Sequence, residues 1–253
     1  MSRREATRLG MVKQNGRVVG MTDLDAIVLA GGLGTRLGGA EKAALIGPDG
    51  LTSIELALGI CWQAGAGKVV VVGPVEQTVA ALDHLIADDV GPSPVDGVVG
   101  GQAYWRRVKA ANGGRLIGFA QEDPPRSGPA RAIAAGTACL ARWPAADGTG
   151  CLVLACDMPR AGLAVSNLLD AWGFGDGVVA QSDGHTQWLL GLYRRDALER
   201  ACLRLTKTNS EGGESARQLL GELNLVNVPV PDMATDDLDT PADLGRLGFT
   251  QSD

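Results

Sequence analysis

Four short apolar runs limit what this chain can fold into. They cover 25–30, 68–72, 115–120 and 150–155, and a stretch of helical character follows each one. Runs of five or six residues have the length of strands rather than helices. The run at 68–72 carries four consecutive valines, the composition of a strand covered on both faces. Between the runs, Thr52 with Glu55 three residues later predicts a capped helix reaching about 64, where Gly65 and Gly67 stop it. Further helices are predicted over 75–88, over 130–141 behind Pro129, and over 163–172. Strands alternating with helices in this way predict a three-layer α/β fold with a mostly parallel, doubly wound sheet. In such sheets ligands bind beyond the carboxyl ends of the strands.

The later part departs from simple alternation. Strands at 177–180 and 188–193 flank Ser182-Asp183-Gly184 and predict a hairpin. Helices follow at 196–205 and 215–223, then a strand at 227–230, and a closing helix capped by Thr240 runs to 247. At 253 residues, the length suits a single domain, assigned here to 21–253. Residues 89–115 are a loop-rich insertion broken by glycine and proline. Within it, 104–109 form an aromatic and basic island, and the whole excursion 89–115 reads either as a substrate-contacting flap or as a peripheral insertion. Residues 1–20 read as a disordered basic arm, with Met21 opening the folded domain.

Charge and cysteine usage narrow the class. Net charge is −6, but Arg3, Arg4, Arg8, Lys13 and Arg17 against Glu5 give the arm +4 and leave the body at −10. An acidic body excludes a nucleic-acid surface, and it obliges an anionic ligand to find a local cationic pocket or a metal. The five cysteines are scattered without a Cys-x-x-Cys pair, the usage of a reducing, cytoplasmic compartment. No apolar segment approaches a membrane span, and the basic start lacks the apolar core of a secretory signal.

The first run feeds into Leu29, Ala30, Gly31, Gly32, Leu33, Gly34, Thr35, Arg36, Leu37, Gly38, Gly39, Ala40, Glu41 and Lys42. Five glycines in nine positions let the backbone approach a ligand closely and offer its N–H groups to an anion. Arg36 and Lys42 add two cations, as a polyphosphate requires. The loop is neither a P-loop, lacking Gly-Lys-Ser/Thr, nor a dinucleotide fingerprint.

Four acidic positions accompany it. Asp157 directly follows a strand, and reads either as a ligand for Mg²⁺ or as the cap of the next helix. Asp237 and Asp239 share a face if their stretch is extended; otherwise they belong to a helix-cap cluster. Asp123 either accepts bonds from a base or ribose, or serves as a turn residue before Pro124 and Pro125. Of the two histidines, His185 reads as surface and His84 as structural, and no Ser/His/Asp or Cys/His set indicates a covalent nucleophile. The implied chemistry is metal-assisted phosphoryl or nucleotidyl transfer, in which the protein positions groups and neutralises charge.

The loop 29–42 resembles the signature of the nucleoside-triphosphate transferase superfamily. Within it, the resemblance is to the molybdenum cofactor guanylyltransferase (MobA) family. Four further segments fit in order: 122–129 with Gly136, Cys156 to Pro159, Gln187 with 189–195, and 237–244. The resemblance covers about 23–248 and implies a Rossmann-like fold of the nucleotidyltransferase type. It implies transfer of GMP from GTP to molybdopterin (Mo-molybdopterin), with release of pyrophosphate and dependence on Mg²⁺. By the same resemblance, Leu29, Ala30, Gly31 and Gly32 hold guanine and ribose, and Arg36 and Lys42 neutralise the triphosphate. Asp123 contacts the nucleotide, Asp157 binds Mg²⁺, and Asp239 is a second metal ligand. The partners implied are small molecules, with a monomer or transient contacts to cofactor-synthesis or molybdoenzyme proteins. A cytidylyl- or sugar-phosphate transferase of the same fold is the alternative, and a non-catalytic nucleotide-binding homologue is a third reading.

Overall fold

The computed structural model describes residues 12–14, 17–19, 21, 23–86, 104–107, 115–205 and 214–251. Its centre is an eight-stranded sheet. In chain order the strands are β1 (Leu24–Leu29), β2 (Lys68–Val72), β3 (Tyr104–Arg107), β4 (Leu116–Ala120), β5 (Gly150–Ala155), β6 (Gly177–Ser182), β7 (His185–Arg194) and β8 (Leu225–Pro229). The helices are α1 (Ser53–Gln63), α2 (Val75–Leu82), α3 (Pro129–Leu140), α4 (Gly162–Ala171), α5 (Arg195–Leu205), α6 (Ala216–Leu220) and α7 (Pro241–Leu247). Across the sheet the strands run in the order β8-β6-β7-β5-β1-β2-β4-β3. Only β3 and β7 oppose the rest.

Alternation along the central strands explains the three layers. Val28, Val69 and Val71 enter one core with Ile54 and Leu58 of α1 and Leu168 of α4. Their neighbours Ile27 and Val70 point the other way, into a core with Ile133 of α3, Leu198 of α5 and Leu219 of α6. A strand buried on both faces has no polar side, so apolar residues follow one another without a break. A third, smaller core joins Leu37 and Leu45, just past the glycine loop, to Leu238, Leu244, Leu247 and Phe249 near the C-terminus. Ile46 also bridges Thr250, and Gln251 Nε2 donates to the Leu37 carbonyl at 3.2 Å. The last segment therefore straps down the loop that follows β1.

Local signals hold where local chemistry decides. Thr52 caps α1 and Thr240 caps α7, each in a reciprocal box, with Glu55 and Asp243 respectively. The helix expected over 75–88 ends at Leu82 and passes into a single 3₁₀ turn. The one predicted over 215–223 forms only at Ala216–Leu220. Tyr104–Arg107, read from sequence as part of a loop, is instead an edge strand. Its Trp105 is buried opposite Gly118 of β4, where a Cβ would come within 3.1 Å of the indole. The rest of the insertion, other than Arg115, lies outside the described residues. Of the basic arm, only 12–14 and 17–19 are described, and they pair antiparallel; the rest of the disordered-arm expectation lies outside the described residues. Among the described residues no helix is long and apolar enough to cross a membrane.

Candidate active site

The order β4-β2-β1-β5 places the reversal of winding between β1 and β5. The chain steps outward from β1 to β2 and β4, then returns to the other side of β1. Crevices form at such a point because the loops from the two strands depart in opposite directions. Backbone bonds carry the strand ends into these loops: Cys156 N–H donates to the Leu29 carbonyl at 3.0 Å and Ala30 N–H to the Val72 carbonyl at 2.7 Å.

Two adjoining chambers open there. The first, about 550 Å³, lies over the ends of β1, β2 and β4, with Ala30, Gly73, Gln77 and Gln121 among its walls. The second, about 320 Å³, lies between β1 and β5 and is lined by Leu29, Lys42, Cys156, Asp157 and Leu189. Gly31, Gly32, Glu122 and Arg126 border both. Beyond Gly32 the glycine loop folds back as a miniature hairpin, Leu33–Gly34 against Ala40–Glu41. Gly38 and Gly39 turn it with φ of 73° and 89°, a backbone that side chains oppose. A 3₁₀ turn over Lys42–Ala44 then points Lys42 inward.

Lys42 is the centre of the charge pattern. Its side chain is 10% exposed, and Nζ donates to Asp157 Oδ2 at 2.7 Å and to Asp239 Oδ1. Burial opposes the ammonium charge, but the bonds and charges of the two carboxylates outweigh it, and the pKa lies above 10.5. Asp237 shows how dense the negative charge is. Burial, then the charges of Asp239 and Asp157, push its carboxyl above the usual range.

Each position singled out by sequence can now be located. Lys42, Asp157 and Asp239 converge, although 115 and 197 residues separate the lysine from its two partners. Arg36 reaches Asp239 only at 3.4 Å with a side chain 72% exposed, so solvent screens it. Leu29, Ala30, Gly31 and Gly32 line the chambers. Asp123 is exposed and stands outside the lining of both. Neither Asp157 nor Asp239 caps a helix: α4 begins behind Ala161 without a side-chain cap, and Thr240 caps α7. Leu238 N–H donates to the Asp157 carbonyl at 3.0 Å, which sets Asp239 beside Asp157.

Two cleft residues, Glu122 and Arg126, lie inside the 122–129 segment, but the resemblance carries a role only onto Asp123 within it. The available signal is position: Glu122 stands two residues past a buried strand, one closer than Asp123. His185 is exposed, and His84 lies 2.7 Å from Glu55 Oε1. All five cysteines are buried and unpaired. Burial pushes the Cys61 and Cys139 thiols up to about 12 and raises Cys156 further, so none is poised as a nucleophile.

The two carboxylates already converge on one cation, the lysine ammonium. Their oxygens are the donors that hard divalent ions prefer, so a metal fits this corner. Among the described residues no set of three or more metal-ligating side chains closes around a point.

Comparison with known proteins supports the chemistry suggested by this geometry. Rv0371c from Mycobacterium tuberculosis H37Rv superposes with a TM-score of 0.58 at 18% identity, covering 89% of this chain and 98% of that one. A further structure of Rv0371c, in complex with manganese, superposes at 0.50 with 16% identity over 89% and 98% of the two chains. The inositol-1-phosphate CTP transferase from T. maritima gives 0.56 at 13% identity over 87% and 91%. At these identities the likeness is one of fold. A search of curated proteins finds no match. The model of the MobA-like NTP transferase domain matches residues 26–226, most of the chain. Nucleotidyl transfer is the activity that goes with that domain, and this chain belongs to the MobA-like NTP transferase family.

Proposed function

We propose that this protein transfers GMP from GTP to a molybdopterin-type acceptor and releases pyrophosphate. The observation that carries the reading is the Lys42 ammonium, held between Asp157 and Asp239 beside the glycine loop at the reversal of the sheet. The base and ribose lie in the larger chamber against Ala30, Gly31 and Gly32, and the triphosphate turns toward Lys42. There the ammonium exchanges part of its carboxylate contact for phosphate oxygens and offsets the charge that develops on the leaving pyrophosphate. Asp157 and Asp239 would hold a divalent cation, with Mg²⁺ the expected ion, and such an ion supplies further charge neutralisation at the phosphates. The acceptor phosphate approaches along the Leu189 side of the smaller chamber. Its oxygen bonds to the α-phosphorus in line as the bond from that phosphorus to the β-bridging oxygen breaks. Arg36, exposed at the rim, swings onto the phosphates.

Thermal shift tests the nucleotide. GTP with Mg²⁺ raises Tm more than CTP, ATP or UTP does. A CTP preference replaces the reading with a cytidylyl- or sugar-phosphate transferase, and no response to any nucleotide overturns it. Pyrophosphate release that requires both GTP and molybdopterin identifies the acceptor; release with another phosphorylated acceptor instead rejects molybdopterin.

A further inference from the structure

We infer that Glu122 reads the base edge of the bound nucleotide and sets its preference for guanine; the inference rests on the guanylyl-transfer reading above. Glu122 is only 7% exposed and borders both chambers. One carboxyl oxygen, Oε1, accepts the Arg126 backbone N–H at 2.8 Å. The other, Oε2, is buried and has no hydrogen-bond partner among the described residues. A buried carboxylate oxygen without a donor is costly, and natural proteins leave few of them. Here it stands at a cleft wall, so a ligand is the available source of the missing donor.

The surroundings define that ligand. A Cβ built on Gly31 would come 3.7 Å from Oε1, so the carboxyl lies close against the glycine loop where the nucleotide enters. A carboxylate only accepts hydrogen bonds. The base that satisfies it must present N–H donors and no acceptor toward it. Guanine presents two adjacent donors, N1–H and the 2-amino group. Adenine and cytosine each set a ring-nitrogen acceptor beside their amino group, and uracil flanks its single N–H with two carbonyls. Oε2 takes one donor, and Oε1 has a second lone pair for the other. A site built to bond a substrate N–H rejects analogues that lack it, because its own buried group is then unpaired. Asp123, by contrast, is exposed and stands outside the lining of both chambers.

Equilibrium titration by calorimetry, with Mg²⁺ present, tests the inference on the full chain and on Glu122→Gln. The ligands are GTP, ITP, which lacks the 2-amino group, and N1-methyl-GTP, which lacks N1–H. The wild-type protein is expected to bind GTP at least about tenfold more tightly than either analogue, the cost of one unpaired buried acceptor. In Glu122→Gln, which replaces an acceptor oxygen by a donor, the discrimination falls below about threefold. Equal binding of GTP and both analogues by the wild-type protein overturns the inference, as does undiminished discrimination in the variant. If the variant does not fold, the wild-type series decides alone. A wild-type protein that binds none of the triphosphates refutes the guanylyl-transfer reading itself, a result distinct from binding without discrimination.

Discussion

Replacing Arg195 with methionine tests how the scaffold beneath the site is held. Arg195 is 2% exposed at the start of α5, and Asp25 in β1 is fully buried. The guanidinium donates to Asp25 Oδ2 at 2.6 Å, to the Leu140 carbonyl, to the Trp143 carbonyl at 2.8 Å and to Glu199 at 3.2 Å. It thus joins the opening of β1 to the end of α3 and the first turn of α5. Lys68 Nζ stands 2.9 Å from Asp25 Oδ1, an ion pair whose alignment falls short of a hydrogen bond. Without Arg195, a buried carboxylate keeps only that partner, the Trp143 carbonyl loses this donor and the Leu140 carbonyl keeps only the Trp143 N–H. An exposed pair is worth about 0–1 kcal/mol. Breaking a buried one costs roughly 3–5 kcal/mol because a charge is left uncompensated. At roughly 2–4 °C per kcal/mol for a chain of this size, Tm should fall by about 6–20 °C. Thermal melts followed by circular dichroism, with urea titration beside them, measure the change. Adding Asp25→Asn to the variant should recover at least about 1 kcal/mol, since the stranded charge goes too. A fall under about 3 °C, or a strictly additive double variant, would refute the reasoning.

Three further outcomes are expected. Asp157→Ala should abolish turnover while the protein stays folded, since Lys42 keeps Asp239; unchanged turnover removes Asp157 from the mechanism. Thr52→Ala should cost about 1 kcal/mol by opening the α1 capping box. Burial raises the Glu55 pKa, but the bonds from Thr52 and His84 outweigh it and hold it below 4.5. The stabilisation is therefore complete above about pH 4.5 and is lost as pH falls through the lower folded value. Urea titrations of this variant should show a smaller penalty at low pH than at pH 7, and equal penalties would count against it. Gly136→Ala should destabilise by about 1–3 kcal/mol, because its Cβ would meet Ile27 at 2.7 Å and Val72 at 3.0 Å beneath α3. A higher Tm would show that helix propensity, worth about 1 kcal/mol, prevails there.

The sequence carries its local decisions openly. The span of β5, the caps at Thr52 and Thr240 and the turn at Asp183-Gly184 depend on residues within a few positions of one another, and each forms as the pattern indicates. The doubly wound sheet follows from them, because unbroken apolar runs such as Lys68–Val72 have to be covered on both faces. What local pattern cannot supply is the choice of a partner. Asp157 reads from sequence as a metal ligand or a cap, and Asp239 as one of a same-face pair or of a cap cluster; only the fold sets both beside Lys42. Tyr104–Arg107 is lost among the glycines and prolines of a loop-rich stretch and shows itself as a strand only through its pairing with β4. Glu122 and Asp123 are adjacent acids in the same motif context, yet the fold buries the first and exposes the second. Arg195 gives no sign of its depth, since a buried arginine is tolerable only when acceptors from distant segments collect around it.

The strap that ties the C-terminal segment over the glycine loop also gives the site a position in time. Residues 31–46 are synthesised early, yet the apolar faces that hold them belong to Leu238, Leu244, Leu247 and Phe249. At roughly 5–20 residues per second, about 10–40 s separate the two ends of that contact during translation. Until then Lys42 lacks one of its two carboxylates and the loop lacks its buttress. A nascent chain can lay down β1, β2, β4 and β5 and still have no competent cleft, so the nucleotide site closes last, after the scaffold that carries it.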